Sequence, residues 1–211
     1  MLGNSGKQKK RIQMNTSTKK LPEGYVQSGE INLKRNKRLS ITLNVFGFFV
    51  GILSFFLVSS FAVLVRPSLL NTSGRITVGG MAIFIGAVVL LMTFHELIHG
   101  VFFWVFTRSK PVFALRLLYA YAGAPDWYIP TRQFAFVAVS PLVILSAVGM
   151  LLTLLVPEIW VLLIAVLVAI NIGGSVGDLL VLTRLFKLSP TSLANDTGDV
   201  VTFYKRASID H

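Results

Sequence analysis

Of the 211 residues, 54% are hydrophobic and only 14% are charged, and mean hydropathy is +0.70, whereas a soluble domain carries about 25% charged residues. That balance excludes a soluble globule and a disordered tail protein, and the absence of cysteine excludes a disulfide scaffold and any thiolate metal site. What remains is an integral membrane protein. The 20 Lys and Arg against 9 Asp and Glu, a formal net charge of +11, would taken alone suggest nucleic-acid binding, so the positions of the charges have to decide.

Ten of the basic residues fall within residues 1–40 (Lys7, Lys9, Lys10, Arg11, Lys19, Lys20, Lys34, Arg35, Lys37, Arg38), opposed only by Glu23 and Glu30. The stretch is rich in Asn, Ser, Thr and Gln and has almost no apolar periodicity. It reads as a basic, largely disordered cytoplasmic tail that sets topology and touches anionic lipid headgroups. The basic clusters at residues 7–11, 19–20 and 34–38 contain no aromatic residues and no recognition fold is apparent, so nucleic acid is not an expected partner. The first apolar run starts too far in, with no small-residue cleavage site close behind it, for a secretory signal.

Four segments are long and apolar enough to cross about 30 Å of hydrocarbon: Ile41 to Val65, Ile76 to Phe106, Phe134 to Val156 and Glu158 to Leu182. A turn-rich link from Arg66-Pro67 to Ser73-Gly74-Arg75 joins the first two, and Pro157-Glu158 joins the last two. Four spans put the N-terminus, the central loop and the C-terminus on one face. Those segments hold 18 basic residues, among them Arg108, Lys110, Arg116, Arg132, Arg184, Lys187, Lys205 and Arg206, against Arg66 and Arg75 opposite. Lys and Arg are retained in the cytoplasm, so both termini are expected inside, at the plasma membrane. No internal repeat points to an inverted-repeat transporter.

In the central loop Phe113, Leu115, Leu117, Tyr119 and Tyr121 alternate with Ala114, Arg116, Leu118, Ala120 and Ala122, before a turn at Gly123-Ala124-Pro125-Asp126. This predicts a strand or small hairpin, serving either as an interfacial anchor or as an edge for an extended peptide. Val201 and Phe203 suggest another short strand over Asp199 to Tyr204. The expected fold class is all-α: a polytopic membrane protein of about four transmembrane helices, with that strand or hairpin between the second and third. Its parts are the tail 1–40, a four-span core 41–184 and a cytoplasmic C-terminal tail 185–211.

An ionisable side chain at bilayer depth is costly and marks a functional site by default. Leaving aside Glu158 at the outer boundary, the spans contain His95, Glu96 and His99 in the second and Asp178 in the fourth. His95-Glu96-Leu97-Ile98-His99 is H-E-x-x-H, and helix positions i and i+4 share a face, so both imidazoles can reach one metal ion at about 2.0–2.1 Å. Zinc lowers the pKa of a bound water toward about 7, and Glu96 stands where a carboxylate can take that water's proton. The competing reading, two histidines satisfied by neighbouring helices, buries three titratable groups in five residues with no cation to share.

A catalytic zinc needs a third protein ligand. His99 lies about eight residues from the cytoplasmic end of its span, roughly 12 Å, and Asp178 about six residues from the end of its own, roughly 9 Å. Their matched depth makes Asp178 the expected third ligand. Asn171, Gly174, Ser175 and Asp178 share one helix stripe. Asn171 could orient a substrate carbonyl or stabilise an oxyanion, or equally make an interhelical hydrogen bond. Gly173, Gly174 and Gly177 are expected to let the fourth span approach the His-bearing second span closely, and Pro141 is expected to kink the third span.

On the HELIH motif and the later Asn171 to Gly177-Asp178 segment, the chain resembles intramembrane metalloproteases of the site-two protease type. It is more similar still to a zincin-peptidase family of small bacterial membrane proteins. Those proteases carry Asn-Pro-Asp-Gly or Leu-Asp-Gly at their metal-binding Asp, where this chain has Gly177-Asp178-Leu179. The resemblance implies Zn2+ held by His95, His99 and Asp178, Glu96 as general base, and peptide-bond hydrolysis near the cytoplasmic membrane boundary. The expected activity is therefore that of a zinc-dependent endopeptidase acting on membrane or juxtamembrane proteins or peptides. The alternative is a catalytically silent metal-binding membrane scaffold or regulator. A di-iron oxygenase would need many more histidines than His95, His99 and the terminal His211.

Overall fold

The computed structural model describes residues 16–71, 77–115 and 120–207. Lys7, Lys9, Lys10 and Arg11 of the tail, Ser73 to Ile76 of the first link, Arg116 to Tyr119 of the central loop, and His211 lie outside the described residues. Within them are five α-helices: α1 (Lys37–Val65), α2 (Val78–Thr107), α3 (Thr131–Leu155), α4 (Glu158–Gly174) and α5 (Val176–Phe186). Six strands accompany them: β1 (Tyr25–Asn32), β2 (Val112–Leu115), β3 (Ala120–Gly123), β4 (Ile129–Pro130), β5 (Leu193–Asp196) and β6 (Val200–Arg206). The protein is mostly helical but not all-α, because the segments flanking the helices build a four-stranded antiparallel sheet in the order β1-β6-β5-β4.

Helices α1, α2 and α3 are each long and apolar enough to cross a membrane. The fourth expected span is broken: α4 and α5 meet at Ser175 with a bend of 42°, giving three spans, or four if the pair counts as one. At the break the Ser175 N–H and hydroxyl both donate to the Asn171 carbonyl, at 3.0 and 2.8 Å. The side chain thus draws on the last turn's acceptor and competes with the helix continuing straight.

By contacts the chain divides into two compact units. One comprises Arg38–Ile98 and Ser140–Asp178. In it α1 and α4 approach until a Cβ at Gly47 would meet the Gly173 carbonyl oxygen at 2.5 Å, and Gly51 faces Ala169, so Gly173 serves the contact with α1 rather than the expected one with the His-bearing α2. Small residues four apart on both helices permit this contact. Val58, Ala165 and Val168 form the buried cluster beyond it, while Phe46, Phe48, Phe49 and Phe56 of α1 are exposed, as lipid-facing side chains would be. At the far end the Arg66 guanidinium donates to the carbonyls of Thr153 and Val156 at 3.1 and 2.7 Å, satisfying acceptors that the end of α3 leaves over.

Overpacking a well-packed contact costs roughly 1–3 kcal/mol. Gly47→Ala is accordingly expected to lower the thermal unfolding midpoint in detergent, because the obstructing atom is backbone. Gly86→Ala, at a helix position where a Cβ meets nothing within 4 Å, is expected to keep or raise the midpoint, because alanine favours helix over glycine by about 1 kcal/mol.

The other unit takes in the sheet, the end of α2, the start of α3, and α5. Phe103, Phe134, Val137, Leu185, Ala194 and Phe203 form its buried core, with the Phe103 and Phe134 rings 6.0 Å apart. The expected strand near Asp199 to Tyr204 is β6, and the expected central hairpin is β2 paired with β3, Val112 opposite Gly123. Strand β1 lies where the sequence reads as unstructured tail. It pairs with β6 from Tyr25–Arg206 to Asn32–Val200, with an irregularity between Gln27 and Gly29. The Tyr25 hydroxyl donates to the Thr191 carbonyl at 2.7 Å, and burial raises its pKa against the opposing pull of Arg206.

Candidate metal centre

The histidines occupy the middle of α2, which runs without interruption from Val78 to Thr107. It starts at Thr77, whose hydroxyl accepts the Gly80 N–H at 3.0 Å. It ends where Arg108 turns to a positive φ of 56°, a conformation that stops helices. His95 and His99 are therefore one turn apart on one face. Their relative exposures are only 9% and 8%. Two imidazoles so far from water need partners.

His95 has them on both ring nitrogens. Its Nδ1 lies 3.1 Å from Asn171 Oδ1, and its Nε2 lies 3.2 Å from Asp178 Oδ2. Asn171 is 2% exposed. Its Nδ2 faces the Ser146 hydroxyl at 3.0 Å and the carbonyls of Pro141 and Leu142 at 3.4 Å. Carbonyl oxygens only accept, so the Asn171 nitrogen must face them and its Oδ1 must face His95. That oxygen also only accepts, which puts an imidazole proton on Nδ1 and leaves Nε2 facing Asp178, to share either a metal ion or a second proton with that carboxylate.

His99 follows the same rule. Its Nδ1 donates to the Val137 carbonyl at 2.9 Å, again leaving Nε2 as the donor atom for a metal. Metal-binding histidines characteristically anchor their other nitrogen in this way.

The ligand atoms of His95, His99 and Asp178 lie within 4.8 Å of one another. Two nitrogens and a carboxylate oxygen suit zinc, and two donors about 2.0–2.1 Å from a tetrahedral ion stand roughly 3.3 Å apart, close to the 3.2 Å between His95 Nε2 and Asp178 Oδ2. The donor set therefore fits the metal that the motif calls for. Asp178 comes within reach of the histidines because α5 begins afresh after Ser175, placing the carboxylate in the first turn, where the helix dipole favours a negative charge. Glu96 is half-buried beside His95.

Asn171 makes the interhelical hydrogen bonds that the sequence allowed for, to His95 and to α3. Sequence reasoning missed Ser146 and the Val137 carbonyl. The second was signalled by Pro141, since an interior proline takes the helical donor away from the carbonyl four residues back.

Two histidines one turn apart and an aspartate from a second helix, in a chain with three or four membrane-length apolar helices, define a membrane protein with a zincin-type centre. The sequence agrees: residues 88–193 match the family described as "Putative zincin peptidase", and the chain belongs to that family. The match takes in the whole stretch from His95 to Asp178. No curated protein and no solved structure matches the chain.

Proposed function

We propose that the protein is a zinc-dependent membrane endopeptidase that hydrolyses peptide bonds of membrane or juxtamembrane proteins near the cytoplasmic face. The carrying observation is the convergence of His95, His99 and Asp178 ligand atoms within 4.8 Å, with Glu96 on the same helix turn as the histidines. His95, His99 and Asp178 would hold Zn2+, which when bound acidifies water and polarises a carbonyl. Asn171 and the Val137 carbonyl keep both imidazole protons on Nδ1 and both Nε2 lone pairs available.

Glu96 acts as general base. Its carboxylate takes a proton from the water that attacks the peptide carbonyl carbon. It then delivers that proton to the amide nitrogen as the C–N bond breaks, leaving a carboxylate and an amine. The near-dry setting of the histidines strengthens every electrostatic interaction made there. An extended substrate segment would pair with the β2 edge of the two-stranded β2–β3 sheet, where Val112 and Phe113 are exposed.

The proposed location is the plasma membrane with both termini cytoplasmic, supported by the 18-to-2 distribution of basic residues. Lys34, Arg35, Lys37 and Arg38, at the start of α1, are suited to anionic headgroups. Protein purified from membranes is expected to carry one zinc per chain by elemental mass spectrometry and to cleave a candidate transmembrane peptide. Both properties should be lost in chelator and recovered with added zinc. Cleavage that persists after the metal is stripped would exclude the proposal.

A further inference from the structure

We infer that Gly47 of α1 is a positioning residue for the metal centre: it seats α1 against the break between α4 and α5 and thereby holds Asn171 and Asp178 at His95. The inference rests on the zinc reading of the site but not on hydrolysis.

Gly47 touches both sides of the break. A Cβ on Gly47 would stand 2.5 Å from the Gly173 carbonyl oxygen, before Ser175, and 3.7 Å from Val176 Cγ2, after it. The contact is reciprocal, since a Cβ on Gly173 would stand 2.5 Å from the Gly47 carbonyl oxygen and 3.1 Å from the Gly51 Cα. Each helical residue turns by about 100°, so residues two apart point to nearly opposite sides. Asn171 comes two before Gly173, and Asp178 two after Val176. Both therefore project away from α1, and both meet His95, Asn171 at 3.1 Å from Nδ1 and Asp178 at 3.2 Å from Nε2. Gly47 thus backs the segment whose opposite side faces His95.

The effect of a methyl group at Gly47 depends on which element yields. An ordinary C···O separation is about 3.3–3.6 Å, so the methyl requires a displacement of roughly 1 Å. Helix α1 is continuous over 29 residues and buried along one stripe through Gly47, Ser54, Val58 and Ala62, so tilting it away would open that whole side. The segment it backs is interrupted at Ser175, where the axis bends by 42°, and is the softer of the two. Metal–ligand distances tolerate only about 0.2 Å. A modest share of the displacement passed on to Asp178 exceeds that tolerance.

The test uses full-length protein in detergent, with zinc affinity measured by chelator competition. Gly47→Ala is expected to bind zinc about 10- to 100-fold more weakly than wild type, as for loss of a group that supports a ligand from outside the coordination sphere. Ala62, 1% exposed, lies on the same stripe of α1 roughly 22 Å further on. Ala62→Val overpacks that end and is expected to lower the unfolding midpoint with zinc affinity unchanged. In the double variant Gly47→Ala with Asp178→Ala, the combined loss should be smaller than the product of the two single losses, whereas independent effects would multiply. The visible spectrum of Co2+ bound in place of zinc, which follows coordination geometry, should differ from wild type in Gly47→Ala and match it in Ala62→Val.

Unchanged zinc affinity in a folded Gly47→Ala overturns the inference, because α1 then yields instead. So does an equal loss in Ala62→Val, or multiplying losses in the double variant, since either makes the effect one of general packing. If Gly47→Ala does not fold, Gly51→Ala carries the test with a milder overlap, 3.3 Å to the Ala169 carbonyl oxygen. Zinc affinity should fall in that variant too, and an unchanged value overturns the inference. Wild-type protein that binds zinc and cleaves nothing would fail the peptidase reading and leave this inference standing.

Discussion

Glu96→Gln is expected to keep one zinc per chain and to lower the rate of peptide hydrolysis by about 10²- to 10⁴-fold, the usual contribution of general acid–base catalysis. Glutamine preserves the shape and hydrogen-bonding reach of the side chain but does not accept a proton near neutral pH. Glu96 follows His95 directly on α2, so its Cβ projects about 100° around the helix from the first ligand, and it is half-buried. That position allows contact with a reacting water without a place among the metal ligands. Single-turnover cleavage of a membrane peptide in detergent, with zinc counted on the same sample, separates the outcomes. Unchanged cleavage at full zinc content would remove Glu96 from the proton-transfer role. Loss of zinc in the variant would make Glu96 part of metal retention.

How far these roles were legible in the sequence depends on the range of the interaction involved. The His95–His99 pair is local, set by the helix repeat, and needs no tertiary information. Asp178 lies far along the chain, yet depth in a bilayer is a coordinate that sequence supplies: distance from a span's charged end can be counted in residues. The structure brings Asp178 to His95 in agreement with that count. What depth does not supply is rotation about the helix axis. Asn171 was placed on the right stripe, but only the fold distinguishes a side chain directed at substrate from one directed at His95 and Ser146.

The sheet was illegible for a related reason. Strand β1 pairs Tyr25 with Arg206 and Asn32 with Val200 across nearly the whole chain, and no local pattern specifies such a partner. Among its residues, Tyr25, Val26 and Ile31 are scattered among polar neighbours, so composition resembled a solvated tail. The break at Ser175 escaped because a hydropathy window averages across it. The clue was a serine between Gly174 and Gly177 in an otherwise apolar run, where a hydroxyl can return to the preceding turn.

Asp178 can be read in two ways that differ sharply in consequence, and substitution separates them. As a helix N-terminal acid it would contribute only about 0.3–1 kcal/mol to α5 through the dipole. Asp178→Ala would then lower the unfolding midpoint slightly and leave zinc in place. As the third ligand it completes a set that two imidazoles on one helix do not form alone. Zinc affinity should then fall by more than about 100-fold, beyond the loss that follows removal of an outer-shell partner, and hydrolysis should disappear with the metal. Asp178→Asn sharpens the distinction, because it keeps the size and the acceptor oxygen while removing the charge that favours the cation. The expected order of zinc affinity is wild type, then Asp178→Asn, then Asp178→Ala, with all three proteins folded by circular dichroism. Equal zinc retention across the series would assign Asp178 to α5 rather than to the metal. The His95 Nε2 to Asp178 Oδ2 approach of 3.2 Å would then be an ion pair at the head of a helix.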